Sequence, residues 1–162
     1  MEKKNKKVAV YPGTFDPITY GHLDVVLRAS ELFDKVIMAV SESSTKNTLF
    51  TVDERIEMIK ESTSKIKNVK VSSFEGLLVD YARFRGADVI IRGLRAISDF
   101  EYEFQMALTN RKIAENISTV FLMPNEKYTY LNSTLVKEIA KYKGDVSAFV
   151  PKFVLKKLNE KF

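Results

Sequence analysis

The chain of 162 residues contains no cysteine and only one histidine, His22. The absence of cysteine excludes disulfide bonds and metal sites built from thiolates. A single histidine cannot form a multi-histidine zinc site. No apolar run approaches the roughly 20 residues that a membrane-spanning helix needs, and the N-terminus shows no signal-peptide pattern. We therefore expect a cytoplasmic protein that does not bind membranes.

Length and composition predict one packed domain. Hydrophobic residues make up 45% of the 162 residues, which is enough for a sizeable core. We expect residues 1–162 to form this single domain. The net charge is +5, partly from lysines near both ends of the chain. Such a charge suits an anionic ligand, either nucleic acid or a small phosphate compound, and composition does not separate the two.

Short apolar segments alternate with helical patterns along the chain. Strands are predicted at residues 7–12, 35–40, 69–74, 87–92 and 117–123. Helices are predicted at residues 20–33, 51–64, 76–85, 98–115 and 133–142 and from residue 151 onward. Two capping boxes mark helix starts, Thr51-x-x-Glu54 and Ser98-x-x-Glu101. The alternation predicts an α/β fold, a five-stranded parallel, Rossmann-like, doubly wound sheet with helices on both faces.

The loop after the first strand is the first candidate site. It contains Pro12-Gly13, then Asp16-Pro17, and a helix begins at Thr19 with His22 in its first turn. A strand, a glycine turn and a helix start present backbone N–H groups and a positive helix end to an anion. Pro12-Gly13 can equally be a tight turn, and Thr19 a simple N-cap. The residues alone leave both interpretations open.

The other loops at the same sheet edge add charged and polar side chains. Lys46 follows the second strand, Arg92-Gly-Leu-Arg95 ends the fourth, and Tyr128 to Thr134 follow the fifth. Lys46 can be merely solvated, and Ser133 and Thr134 can be helix caps. Arg92 ends a buried strand and must find an anion or reach solvent. The loops together are rich in cations and poor in carboxylates, a set that suits the binding and transfer of phosphates.

The first motif resembles a known family. Tyr11-Pro-Gly-Thr-Phe-Asp-Pro17 followed by Thr19-x-Gly-His22 resembles the signature of the nucleotidyltransferase superfamily with the (T/H)xGH motif, and in detail the bacterial phosphopantetheine adenylyltransferases. Further segments resemble that family in order and at its spacing: Ile91–Ala96, Asp99–Glu103, Val120–Pro124 and Leu135–Ile139. Two departures are Leu131-Asn-Ser133, where the family often has Ile-Ser-Ser, and Tyr128, where tryptophan is common.

The resemblance implies a reaction. Adenylyl transfer from ATP to 4′-phosphopantetheine would give dephospho-coenzyme A and pyrophosphate, a step of coenzyme A biosynthesis. The attacking phosphate is already an anion, so no strong general base is needed and positioning with charge stabilisation suffices. The resemblance also implies Mg²⁺ bound through the ATP phosphates, a homohexamer, and dephospho-coenzyme A and coenzyme A as product or feedback ligands. We expect no nucleic-acid partner and no metal held by protein ligands alone.

The resemblance further assigns roles to individual positions. It implies that His22 stabilises charge on the transferring phosphorus and that Thr14 orients the attacking phosphate. Lys46 and Arg92 would hold the phosphate of phosphopantetheine, and Leu78 would line its pantetheine arm. These assignments make His22, Thr14, Lys46 and Arg92 the catalytic set. The ATP-contacting positions would be Thr14, Phe15, His22, Gly93, Leu94, Arg95, Glu103, Tyr128, Thr129, Tyr130, Leu131, Asn132, Ser133 and Thr134.

Two alternatives have different substrates or no catalysis. One is a nucleotidyltransferase for nicotinate mononucleotide or for a cytidylyl acceptor, against which the segments Arg92–Arg95 and Asp99–Glu103 argue. The other is a nucleic-acid-binding or nucleotide-sensing module. Such a module would favour aromatic and basic residues interleaved on exposed strands, whereas the strands here are apolar on both faces.

Overall fold

The computed structural model describes residues 6–42, 47–95 and 97–162. In these ranges the strands are β1 (Val8–Gly13), β2 (Lys35–Ser41), β3 (Val69–Phe74), β4 (Val89–Gly93) and β5 (Ser118–Leu122). The helices are α1 (Tyr20–Leu32), α2 (Val52–Ser62), α3 (Leu78–Phe84), α4 (Ile97–Ile113), α5 (Ser133–Lys141) and α6 (Lys152–Lys161), with a 3₁₀ turn at Glu126–Tyr128. Among these described residues, no helix has the length and apolar character required to cross a bilayer.

The five strands form one parallel sheet with the order β3-β2-β1-β4-β5. Val10 of β1 is paired with Ile37 of β2 on one side and with Ile90 of β4 on the other. The strand order therefore reverses at β1, which confirms the predicted doubly wound arrangement. The loops after β1 and β4 leave the sheet in different directions and create a crevice at their carboxyl ends.

Helices cover both faces of the sheet, as predicted. Because successive side chains of a strand point to opposite faces, Ala9 and Tyr11 enter one core and Val10 enters the other. The first core also contains buried residues from α1, α2, α5 and α6, whereas the second contains Val79 and Ala82 of α3. Burial on both faces explains why β2 in the middle of the sheet is apolar over Val36–Val40, whereas the edge strand β3 contains Lys70, Ser72 and Ser73.

Thr19 and Thr51 cap α1 and α2, as their positions suggested, whereas Ser98 does not cap α4 and neither Ser133 nor Thr134 caps α5. Thr51 caps α2 through a full capping box, because the Glu54 N–H donates to Thr51 Oγ1 at 3.2 Å and the Thr51 N–H donates to Glu54 Oε2 at 2.8 Å. The predicted start at Ser98 is wrong, because α4 begins at Ile97 and Ser98 lies inside it. The spacing from Ser98 to Glu101 matches a capping box, but that spacing alone does not determine which residue is the N-cap. Asn132 caps α5, accepting from the Leu135 N–H at 2.8 Å.

Candidate active site

A cavity of about 480 Å³ lies at the carboxyl ends of β1 and β4, where the strand order reverses. Its volume lies in the range of small-molecule sites. Its walls come from the loops after β1, β2, β4 and β5 and from the first two turns of α1, α4 and α5. The cavity brings together these predicted site residues: Thr14, Phe15, His22, Arg92, Gly93, Arg95, Glu103, Leu131, Asn132, Ser133 and Thr134.

Some predicted site residues lie elsewhere. Lys46 lies outside the described residues. Leu78 packs partly buried against the core that contains Val10, and the Leu94 N–H donates to the carbonyl of Leu122 at 3.0 Å. Tyr128 stacks on Tyr20 with ring centroids 6.2 Å apart. The residues outside the cavity wall are Leu78, Leu94, Tyr128, Thr129 and Tyr130, and the ligand contacts implied for them stay predictions.

The turn after β1 has an unusual backbone. Phe15 has a φ of 49°, a left-handed conformation that costs a non-glycine residue about 1–3 kcal/mol and persists only where the surroundings hold it. The ring of Phe15 is buried, and it contacts Tyr11 and His22 edge-on at centroid distances of 5.3 and 5.1 Å. Aromatic packing thus stabilises the turn that places Thr14 on the cavity wall.

Gly13 is required because the Phe15 ring folds back against it. A Cβ at position 13 would lie 2.8 to 3.0 Å from three ring carbons of Phe15. Gly13→Ala should therefore displace this ring, and we expect a loss of about 1–3 kcal/mol in the free energy of unfolding. Thermal unfolding of Gly21→Ala is the control, since its Cβ would meet its nearest neighbour only at 3.5 Å. Equal melting temperatures for the two variants would contradict this account.

His22 closes a capping box at the start of α1. The Thr19 N–H donates to His22 Nδ1 at 3.1 Å, and the His22 N–H donates to Thr19 Oγ1 at 3.4 Å. An N–H group can only donate, so Nδ1 is the unprotonated acceptor and the neutral ring carries its proton on Nε2. Because His22 also lines the cavity, the ring offers a neutral Nε2–H donor at that wall.

The imidazole of His22 is neutral over the physiological range. Burial and, to a smaller extent, the charge of the nearby Arg95 together lower its pKa to about 4. Both causes penalise the imidazolium. The sequence pattern left the charge of His22 open, because a helix end and bound phosphates act on it in opposite directions. The packing around the ring decides in favour of the neutral form in the ligand-free cavity.

The lowered pKa of His22 predicts a pH dependence of stability. As pH falls from about 6.5 to about 4, the unfolded chain binds a proton at His22 that the folded chain does not. The free energy of unfolding should therefore fall with pH in this window by up to about 1.4 kcal/mol per pH unit. His22→Gln removes the titration and retains a capping-box side chain. Denaturant unfolding should show wild type losing stability relative to this variant, and parallel curves would contradict the assignment.

Arg92 is held by Glu103 in a two-point ion pair. Arg92 Nε donates to Glu103 Oε2 at 2.7 Å, and Nη2 donates to Oε1 at 2.6 Å. Burial opposes the cation, but hydrogen bonding and charge from Glu103 outweigh it and raise the pKa of Arg92. A guanidinium has five N–H donors, and this pair uses only two of them. The planar group is thus fixed on the cavity wall with donors remaining for a phosphate.

If Arg92 holds the phosphate of phosphopantetheine, as the resemblance implies, Arg92→Lys should raise the KM for that substrate. An ammonium group keeps the charge but cannot bind both Glu103 oxygens in a plane and hold a phosphate as well. Losing one charge-assisted hydrogen bond corresponds to a rise of roughly 10- to 100-fold. Steady-state kinetics should show a smaller change in the KM for ATP. Arg28→Lys is the matched control, because Arg28 pairs with Asp24 at 3.0 Å on the exposed surface of α1. If both variants have similar kinetics, Arg92 does not bind the substrate and has a structural role.

Asp16 forms a second ion pair at the cavity wall. Its carboxylate is 4% exposed and accepts from Lys137 Nζ at 2.6 Å. It also accepts from the backbone N–H groups of Leu49 and Phe50, both at 2.9 Å. Asp16 therefore joins the turn after β1 to the segment before α2 and to helix α5.

The expectation of a site poor in carboxylates is wrong. Among the residues that the structure describes, three carboxylates line the cavity, and each lies near a cation: Glu103 with Arg92, Asp16 with Lys137, and Asp99 with Arg95 at 3.7 Å. The physical reason is that a buried or half-buried cation needs a nearby anion. Arg92 and Arg95 were predicted from their loop, and Glu103 was among the positions that the resemblance implies. Asp16, Asp99 and Lys137 were not predicted, because each meets its partner only through the tertiary fold or across one helix turn.

The last turn before α5 is tied to the other loops. Ser133 Oγ donates to the Pro17 carbonyl at 2.7 Å, and Arg95 Nη1 donates to the Leu131 carbonyl at 3.1 Å. The departure at Asn132 from the family pattern therefore has a local structural role, because its side-chain oxygen caps α5. These contacts fix the N-terminus of α5 against the cavity.

Other cavity residues were not predicted from the sequence. Tyr11, Asp16, Asp99, Tyr102 and Lys137 all line the wall. Burial raises the pKa of the Tyr11 hydroxyl, so it stays a neutral donor. Tyr11 and Asp16 could have been predicted as site residues, because both lie inside the first motif. Lys137 lies one turn into α5, where helical spacing places it beside the capping segment.

Comparison with known proteins agrees with this geometry. The family described as cytidylyltransferase-like matches residues 10–139, a span that contains the strand-turn-helix motif, β4 and most of α5. The phosphopantetheine adenylyltransferase of Alkaliphilus metalliredigens is 56% identical over 155 residues, which cover 96% of this chain and 99% of that protein. The chain belongs to the phosphopantetheine adenylyltransferase family.

Further relatives are consistent with this membership. The phosphopantetheine adenylyltransferase of Caldanaerobacter subterraneus is 55% identical over 156 residues, with 96% of this chain and 98% of that protein covered. A solved structure from Vibrio parahaemolyticus, described as a nicotinate-nucleotide adenylyltransferase, superposes with a TM-score of 0.74 at 22% identity. It covers 96% of this chain and 94% of its own. At that identity the likeness supports the Rossmann-like fold, and the adenylyltransferase family membership rests on the first two relatives.

Proposed function

We propose that this chain catalyses adenylyl transfer from ATP to 4′-phosphopantetheine at the cavity between β1 and β4. The observation that carries the proposal is the convergence of the His22 Nε2–H, the Arg92 guanidinium and the turn of Thr14 and Phe15 on one cavity wall. This combination supplies a neutral donor, a fixed cation and backbone groups to a polyphosphate. Membership of the family supports the same substrates.

The reaction is an in-line displacement at phosphorus. An oxygen of the phosphopantetheine phosphate forms a bond to the α-phosphorus of ATP, the bond from that phosphorus to the bridging oxygen breaks, and pyrophosphate leaves. The His22 Nε2–H donates to a non-bridging oxygen as negative charge builds up there. Thr14 orients the attacking phosphate, and Arg92 holds it with the N–H groups that Glu103 leaves available. Lys46 is proposed to assist from the loop after β2.

Mg²⁺ is proposed as the cofactor, carried by the ATP phosphates. The ion commonly keeps several waters and uses one or two carboxylates in addition to substrate phosphates. Asp16 and Glu103 are already engaged by Lys137 and Arg92, whereas Asp99 has only a 3.7 Å approach to Arg95. These carboxylates therefore fit a Mg²⁺ ion that is bound mainly by the ATP phosphates, and Asp99 would be the carboxylate that contacts its bound waters. The ion would supply charge neutralisation to the triphosphate.

The proposal is tested by pyrophosphate release with ATP and Mg²⁺ in the presence of different acceptors. We expect release that depends on 4′-phosphopantetheine and that is greater with ATP than with CTP. Nicotinate mononucleotide and a cytidylyl acceptor are the alternative acceptors. Equal activity with nicotinate mononucleotide would contradict the assigned substrate, and release without any acceptor would indicate hydrolysis instead.

The assembly and setting of the protein are also proposals. We propose a cytoplasmic homohexamer that binds dephospho-coenzyme A and coenzyme A as product or feedback ligands and has no nucleic-acid partner. The support for self-association is the apolar surface of α4, where Phe100, Tyr102, Phe104 and Leu108 are each more than two-fifths exposed. Such a surface on a helix is typical of a protein interface. Sedimentation velocity should show a single species of six times the 18.5 kDa chain mass, and a monomer would contradict the assembly.

A further inference from the structure

Arg55 is a buried cation that forms no ion pair with a carboxylate among the described residues. It lies in α2 and is 2% exposed. Its hydrogen bonds among the described residues all go to backbone carbonyls. Burial lowers the pKa of Arg55 and the charge of Asp16 partly offsets this, but a guanidinium remains charged in proteins. A cation placed in the interior without a contacting anion needs a compensating arrangement of dipoles.

The carbonyls that bind Arg55 come from three separate segments. Nη1 donates to the Thr14 carbonyl at 2.8 Å and to the Ser41 carbonyl at 3.2 Å. Nε donates to the Phe50 carbonyl at 3.2 Å and to the Thr51 carbonyl at 3.3 Å. The planar guanidinium thus connects the turn after β1, the end of β2 and the start of α2. The shortest of these contacts is the one to Thr14.

The Thr14 carbonyl belongs to the peptide group that leads into the left-handed residue Phe15. In a trans peptide the C=O and N–H bonds point in opposite directions. A donor that holds the Thr14 carbonyl therefore also fixes the direction of the Phe15 N–H. Asp16 supports the same turn from the other side, since it accepts from the N–H groups of Leu49 and Phe50. The turn is bound reciprocally to the segment that precedes α2.

We propose that Arg55 is a positioning residue for the transfer reaction, acting through the Thr14 carbonyl to hold the Thr14-Phe15 turn in its reactive conformation. The kinetic part of this inference rests on the proposed function. The structural part, that Arg55 holds the turn, does not. Substitution at position 55 should therefore affect catalysis through Thr14 rather than through the stability of α2.

The variant Arg55→Lys tests this, because lysine keeps the charge but cannot reach carbonyls of three segments from one rigid plane. Ile59→Val is the matched control, because Ile59 is fully buried in the same helix and contacts the core instead of the turn. A misplaced reacting group costs up to roughly 100-fold, so we expect kcat/KM to fall at least about tenfold in Arg55→Lys. In Ile59→Val it should stay within about twofold.

A double-mutant cycle with Thr14→Ala separates positioning from general destabilisation. Thr14→Ala keeps the carbonyl that Arg55 binds and removes the hydroxyl. If Arg55 acts by orienting that hydroxyl, Arg55→Lys should cost less than about threefold in the Thr14→Ala background. The same cost in both backgrounds would overturn the proposal. Should Arg55→Lys not stay folded, Arg55→Gln replaces it in the same cycle. Unfolding of both variants would also overturn the proposal, because Arg55 would then serve the whole fold.

Hydrogen exchange provides a readout that does not require activity. In Arg55→Lys the backbone amides of residues 13–18 other than Pro17 should exchange faster, while those of β4 remain as protected as in wild type. Unchanged exchange in residues 13–18 would contradict the structural part directly. If wild type releases no pyrophosphate with phosphopantetheine, the proposed function fails, and the exchange experiment still decides whether Arg55 holds the turn.

Discussion

His22→Ala should reduce turnover by about 10²–10³-fold and change ATP affinity far less, as expected for a lost donor to a developing oxyanion. In the proposed mechanism, the Nε2–H of the neutral ring donates to charge that appears only in the transition state. Ground-state ATP binding is shared among many backbone and side-chain donors along the cavity wall. The loss should therefore appear in kcat and equally in kcat/KM. Single-turnover kinetics beside equilibrium ATP binding measure the two effects separately.

The capping box makes alanine an incomplete test by itself. His22→Ala also removes the acceptor of the Thr19 N–H, and loss of a capping contact costs about 0.5–2 kcal/mol of stability. His22→Gln is the matched variant, since glutamine at this position can close the box. Both variants should lose turnover, but only alanine should lose stability. A collapse of ATP binding with an intact chemical step would show that His22 is a binding or structural residue.

Asp16→Ala should be the most destabilising single change at the site. It removes the anion of a part-buried ion pair and also leaves the N–H groups of Leu49 and Phe50 without their acceptor. Breaking a buried pair from one side costs about 3–5 kcal/mol. At this chain length that corresponds to a fall in Tm of roughly 10 °C. Thermal unfolding with calorimetric detection measures it.

Two further variants identify the cause of that loss. Asp80→Ala removes an exposed carboxylate that lies 3.5 Å from Arg83 on α3 and should cost less than about 1 kcal/mol. Asp16→Asn combined with Lys137→Met removes both charges of the pair and should be less destabilising than Asp16→Asn alone. If the double variant is less stable than Asp16→Asn, the unpaired charge of Lys137 is not the cause of the destabilisation, and the explanation is wrong.

The sequence was sufficient to predict the parallel sheet and the loops that line the cavity. Five apolar runs separated by helical patterns predict a parallel sheet, and the structure has one of five strands. The motif ending at His22 placed the histidine in the first turn of α1, where it is found. These features depend on local patterning and chain connectivity, which a sequence contains directly.

The polar network of the site was not predictable in the same way. Arg92 and Glu103 are 11 residues apart, on β4 and α4, and nothing in their spacing indicates a two-point pair. Asp16 and Lys137 are separated by 121 residues. Such pairs arise from tertiary packing, because each buried charge selects whichever partner the fold brings close. The Thr19-x-x-His22 spacing is that of a capping box, but histidine is not the usual acceptor at its last position.

The central claim is that the adenylyl group of ATP is transferred to a phosphate acceptor. It is tested most directly by following radioactive label from ATP into product, with 4′-phosphopantetheine, Mg²⁺ and the wild-type chain. Label in the α-phosphate should appear in dephospho-coenzyme A, and label in the γ-phosphate should appear only in pyrophosphate. Transfer of the γ-label to the acceptor, or release of the α-label as AMP without a labelled pantetheine product, would contradict adenylyl transfer.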